Sequence, residues 1–192
     1  MAKKYEFKPD KPRAGLLSKL YLTQKQRRSL LKWALYALVL LALSVLQDVI
    51  LARVRIFGAT TDLVPCGIFL ICVMEGMERG SVFCLAAALV YLFSGTAPGP
   101  YSIVFITFLG VGVAFFRQSF LQKTFSAVML CAVTATVVYE LAVFFIGLFL
   151  GLTTGGRFGV FLATGVMSAL AAPVLYPVID IIGTIGGDTW KE

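Results

Sequence analysis

The sequence predicts an all-α integral membrane protein of about six transmembrane helices, two of them short, with both termini cytoplasmic. Three observations carry this. Of the 192 residues, 59% are hydrophobic and only 14% are charged, whereas a soluble domain is nearer half apolar and a quarter charged; the mean hydropathy is +0.89. Apolar runs recur along the chain at lengths that reach or approach the ~20 residues a helix needs to cross a bilayer. The basic residues are also lopsided: ten of the 17 Lys and Arg fall within residues 1–32, and cytoplasmic segments carry such an excess.

Residues 1–30 form a basic tail, in which only Glu6 and Asp10 oppose the positive charges. Leucines at 16, 17, 20, 30 and 31 lie among these bases. Two readings stay open, an interfacial helix on anionic lipid headgroups and a disordered tail that fixes orientation. A helical membrane domain spans residues 31–185, followed by a short tail, 186–192. The first helix covers 31–51, with Trp33 and Tyr36 at its basic end, where aromatic belts form. Gln47 and Asp48 lie near its far end, where Asp48 reaches water.

The block 62–100 is different. Its apolar runs, 63–74 and 82–93, are about a dozen residues each, below the roughly 20 of an easy crossing. They flank the charged turn Glu75-Gly76-Met77-Glu78-Arg79-Gly80 and end in the loop Ser94-Gly-Thr-Ala-Pro-Gly-Pro100. They are either short spans or a re-entrant hairpin, and a hairpin is tolerated only where protein covers its backbone. Glu75 precedes Arg79 by four residues, the favourable order for a helical ion pair. Further spans are expected at 102–116, 124–152 and 158–185, with a polar turn at 117–123. Pro173 and Pro177 should kink the last span by removing helix hydrogen bonds. With six crossings, Arg79, Arg117, Lys123 and Lys191 join the tail on the cytoplasmic side, while Arg53, Arg55 and Arg157 face outward.

Candidate functional residues are few. Histidine is absent, and Cys66, Cys72, Cys84 and Cys131 lie inside apolar runs without CxxC spacing, so they read as small buried residues. The sequence contains no catalytic constellation and no metal-ligand cluster; neither a cofactor nor a nucleic-acid partner is expected. Glu140 is the isolated acid, near the centre of an apolar span and beside Tyr139. It must face the bundle interior, pair with a donor or be protonated. A polar lock between helices, a ligand contact, a proton site and a packing role all remain open. Gly147 and Gly151 make a GxxxG pattern of the kind that lets helices approach closely, and they are candidates for a partner-binding face.

The middle block also carries a likeness. Val45-Leu46-Gln47 closes the first helix, Asp62-Leu63 opens the second, and Gly76 and Gly80 flank the turn. A small-residue helix then leads into Ser94-Gly95 and Gly99, and Ala171-Ala172-Pro173 precedes Leu175-Tyr176. In this order the chain resembles the bacterial rod-shape-determining membrane protein MreD family over about residues 31–185. There is a departure. The family usually carries an aspartate about four residues before the loop glycine, where this chain has Tyr91, and it has glycines where this chain has Ala86–Ala88. A function resting on that carboxylate does not carry over, and Tyr91 itself reads as an interfacial tyrosine. The resemblance implies a non-enzymatic scaffold of the cell-wall elongation machinery in the bacterial plasma membrane. It would bind MreC and associate with RodA, its class B penicillin-binding transpeptidase and MreB. It also implies a fold similar to the substrate-binding S components of energy-coupling-factor vitamin transporters, which makes such a component the alternative function. Against that alternative, the first helix has no alanines four residues apart among Ala34, Ala37 and Ala42, and the outer loops carry few aromatics beyond Phe57 and Tyr101.

Overall fold

The computed structural model describes residues 24–54, 58–120 and 124–185. Among these the chain is helical throughout: α1 (Gln24–Val49), α2 (Leu63–Glu75), α3 (Met77–Phe93), α4 (Tyr101–Phe120), α5 (Phe125–Phe149), α6 (Phe158–Leu170) and α7 (Ala172–Thr184), with 3-10 turns at Leu51–Arg53 and Gly155–Arg157. Three helices are long and apolar enough to cross a membrane, within α1, α4 and α5. The pair α6–α7, bent by 43° at Ala171, makes a fourth if it counts as one broken span. The proposed interfacial segment lies outside the described residues as far as residue 23. Its remainder is already α1, which starts seven residues before the expected boundary at 31. The C-terminal tail, 186–192, likewise lies outside the described residues.

The short helix α2 is the axis of the bundle. All 13 of its residues are buried, and it packs against each of the other six helices. At 1.5 Å per residue it is about 20 Å long, short of the ~30 Å hydrocarbon thickness. Because protein surrounds it, no stretch of its backbone faces lipid. α3 returns antiparallel to α2 and buries Cys84, Ala87, Ala88 and Tyr91; Ala86 faces outward. The outer faces of the surrounding helices are apolar, with Leu38, Leu41, Phe93, Phe108, Leu130 and Phe149 among the exposed residues. That is the pattern of a bundle whose solvent is lipid.

The hairpin turn is tighter than the charge pattern suggests. Gly76 alone separates α2 from α3, at φ +79°, a conformation that suits glycine. The Gly80 amide then donates to the Gly76 carbonyl at 2.8 Å. Glu78, Arg79 and Gly80 therefore belong to the first turn of α3. The expected polar turn from 117 is also corrected. α4 continues through Arg117 to Phe120, and Arg117 is buried. In the last span only the break before Pro173 bends the chain; Pro177 is accommodated inside α7.

Close packing unites α2, α3 and α4. A Cβ built on Gly110 of α4 would collide with the Cys84 sulfur of α3 and lie 3.4 Å from the Cys72 sulfur of α2. One on Gly80 would lie 3.0 Å from the Cys72 carbonyl oxygen. Both sulfurs are buried, and the Cys84 thiol donates to the Ile106 carbonyl at 3.2 Å. Gly110→Ala should therefore lower stability by about 1–3 kcal/mol, the usual cost of overpacking. Adding Cys84→Ala should recover most of that loss, as read by thermal unfolding in detergent. An unchanged midpoint in the single variant would refute this close approach.

Candidate polar cavity at the Asp62 end of the bundle

The start of α2 is held by its neighbours. A helix leaves four backbone N–H groups without intrahelical partners at its start, and in an apolar interior each must be satisfied. Here all four are accounted for. The Asp62 amide donates to Ser168 Oγ of α6 at 2.8 Å. The Leu63 and Val64 amides both donate to Gln47 Oε1 of α1, at 2.9 and 3.2 Å. The fourth position is Pro65, which has no N–H. The Asp62 side chain makes no cap. Its Oδ2 instead accepts the Tyr91 hydroxyl of α3 at 2.6 Å, while its Oδ1 is buried with no donor in hydrogen-bond geometry.

This knot is the floor of a cavity of about 700 Å³. α2 begins beside Glu140, nine residues before the end of α5, so the α5 wall rises about 13 Å further at 1.5 Å per residue. The turn Gly155–Arg157 and the first half of α6 form a second wall, with Val160, Phe161 and Thr164 facing inward. Asp48 and Arg157 stand exposed at the rim. Glu140 lines the cavity with only 5% of its surface exposed. Gly165 of α6 lies close over its Cβ and Cγ, where a side chain at 165 would come within 3.4 Å. Glu140 has neither a hydrogen-bond nor an ion-pair partner among the described residues. It faces the bundle interior, as its sequence context requires, but the described residues supply no donor for a polar lock. Its charged neighbour is Asp62 across the cavity floor. That juxtaposition of two acids 78 positions apart is not visible in sequence spacing.

The remaining sequence candidates fall elsewhere. Tyr91 is not interfacial: it is 1% exposed and bonded to Asp62. Gly147 and Gly151 do not form a helix face, because α5 ends at Phe149 and Gly151 sits in the following turn at φ +70°. The Leu152 amide reaches back to the Gly147 carbonyl at 2.8 Å and the Gly151 amide to Leu148 at 3.1 Å. That is a Schellman helix stop, and Thr153 packs over Gly147. Gly95 takes the same left-handed conformation, φ +79°, just past α3. Gly99 lies against the Tyr101 ring, and its carbonyl accepts the Ser102 amide and hydroxyl that start α4.

At the opposite end of α2 lies a cluster that the sequence reading missed. Glu75 does not pair with Arg79, which is exposed. Its Oε1 meets Lys32 Nζ of α1 at 2.5 Å and accepts the Tyr36 hydroxyl at 2.8 Å, with both charged side chains almost fully buried. Lys32 is thus a core residue and not part of the lipid-facing tail. Lys32 and Tyr36, four apart on one face of α1, were the available signal. The Arg117 guanidinium packs against Gly76 beside this pair.

Removing one charge of a buried pair strands the other and costs about 3–5 kcal/mol. Glu75→Gln should therefore destabilise strongly, and the double variant Lys32→Met/Glu75→Gln should be closer to the parent than either single variant. Additive losses in denaturation of the detergent-solubilised protein would show that the two charges do not interact.

No protein-family model, characterised protein or solved structure matches this chain.

Proposed function

We propose that this protein is a non-enzymatic, multi-pass scaffold of the bacterial cell-wall elongation machinery, seated in the plasma membrane and binding a single-pass MreC-type partner. The observation that carries this reading is where the likeness residues lie. Gln47 and Asp62-Leu63 meet at one end of α2, Gly76 and Gly80 form its other end, and Ser94, Gly95 and Gly99 shape the loop into α4. Residues spread between Gln47 and Gly99 are thus one framework, as expected if the motif order marks a shared architecture. In this reading α2 is a short protein-sheltered crossing and α3 a short one with an outward apolar face, giving six in all. The Glu75 end and both termini face the cytoplasm, in keeping with the basic N-terminal segment. RodA, its class B transpeptidase and MreB belong to the wider complex, and anionic lipids contact the basic tail.

With Gly151 outside α5, a GxxxG face no longer marks the docking helix. The exposed apolar faces of the surrounding helices take its place as the surfaces on which a partner helix packs. The test is co-expression with a tagged MreC-type protein and purification from the membrane fraction. Stable co-elution is expected, and it should survive Gly151→Ala in any preparation that remains folded. An MreC-type protein that elutes alone would overturn the proposal.

A second reading is favoured by one specific feature. The cavity at the Asp62 end would open outward, where an S component of a vitamin transporter holds its substrate. Recovery of a coupling membrane subunit with ATPases, instead of a single-pass partner, would select this alternative.

A further inference from the structure

We infer that the cavity at the Asp62 end is a binding site for a small organic ammonium compound, whose cationic head rests between Asp62 and Glu140. The site stands on the cavity's own geometry and holds for a scaffold or a transport subunit alike. At about 700 Å³ the cavity lies within the range of small-molecule sites, roughly 300–1,000 Å³. Among the described residues its charge is unbalanced, with Asp48, Asp62 and Glu140 against one base, Arg157. Two of those acids are at the floor and incompletely satisfied. Glu140 is 5% exposed without a partner among the described residues, and Asp62 Oδ1 is buried with no donor in hydrogen-bond geometry, the Gln47 side chain and Val64 amide being its polar neighbours. A buried carboxylate without a donor is costly. The protein meets that need elsewhere with its own side chains, since Lys32 and Tyr36 satisfy Glu75 Oε1. At the Asp62 end the donor must come from outside or the acids must be neutralised.

The walls narrow the class. A primary ammonium carries three donors, enough to reach Asp62 Oδ1 and both Glu140 oxygens. Val143 and Phe161 above the acids suit a short alkyl body. Arg157 at the rim can receive a carboxylate at the other end of a zwitterion. A metal ion fits less well, because no group of three acid or cysteine side chains is placed to hold one among the described residues.

The test uses the full chain in lipid nanodiscs, with radiolabelled cadaverine and radiolabelled L-lysine as probes and hexanoate as an anionic competitor. Saturable binding of at least one probe is expected, unaffected by hexanoate. Glu140→Gln should weaken it at least about tenfold, in line with loss of a charge-assisted bond. Thr164→Trp, which fills the cavity without changing its charge, should abolish binding while the protein keeps its size-exclusion profile; this arm decides the matter if Glu140→Gln fails to fold. Leu38→Ala, on an exposed apolar face, should bind like the parent. Absence of saturable binding by both probes, or parental affinity in the folded Glu140→Gln or Thr164→Trp protein, would overturn the assignment.

Discussion

A short helix buried on every side can exist in a membrane only if other elements satisfy both of its ends. α2 is such a helix, and much of the architecture follows from that demand. Its starting amides are taken by Gln47 from α1 and Ser168 from α6. At its far end, Glu75 is held by Lys32 and Tyr36, again from α1. α1 therefore runs antiparallel to α2 and braces it at both ends, fixing register as well as direction. The α6–α7 pair contributes in a related way. Its break at Ala171 lies three residues after Ser168, so the bend falls beside the level at which α2 begins. The glycines at 80 and 110 then let α3 and α4 close over the remaining side at contact distance.

The brevity of α2 also creates the cavity. Among its neighbours α1, α4 and α5 are each long enough to cross a bilayer, whereas α2 begins about two and a half turns short of the end of α5 at 3.6 residues per turn. What a full-length α2 would fill is instead polar space floored by its own N-terminus. A helix start is the positive end of the backbone dipole, which makes Asp62 more tolerable there. That dipole reaches only the first turn, however, and Glu140 belongs to another helix. The floor thus combines one acid that the fold partly compensates with another that it does not.

The long spans were legible because hydropathy over some twenty residues is a strong local signal, and α1, α4 and α5 all registered. Asp48 reaches the exposed rim as expected, but three other charges assumed to mark water do not. Arg117, Lys32 and Glu75 all read as surface charges by sequence position, yet all three are buried. Their burial depends on partners more than 30 residues away, which no local pattern reports. Glu75 and Arg79 have the right spacing for a helical pair, but Gly76 between them ends the helix, so i,i+4 geometry never forms. Gly147 and Gly151 misled for the same reason: a four-residue spacing means one face only while the helix continues.

The two ends of α2 carry similar chemistry in different states, and the difference separates structure from availability. Both place a carboxylate in an apolar interior with a tyrosine hydroxyl bonded to it, Tyr36 on Glu75 and Tyr91 on Asp62. At the Glu75 end a lysine from the same chain supplies the countercharge and aromatic rings close over it, with Trp33 and Phe83 packed 5.3 Å apart. At the Asp62 end the second acid is Glu140 instead of a base, and the walls stand open. The Glu75 end holds its countercharge within the chain, although Glu75 Oε2 is also buried without a hydrogen-bond partner; the Asp62 end is the one whose acids line an open cavity that a group from outside the chain can enter.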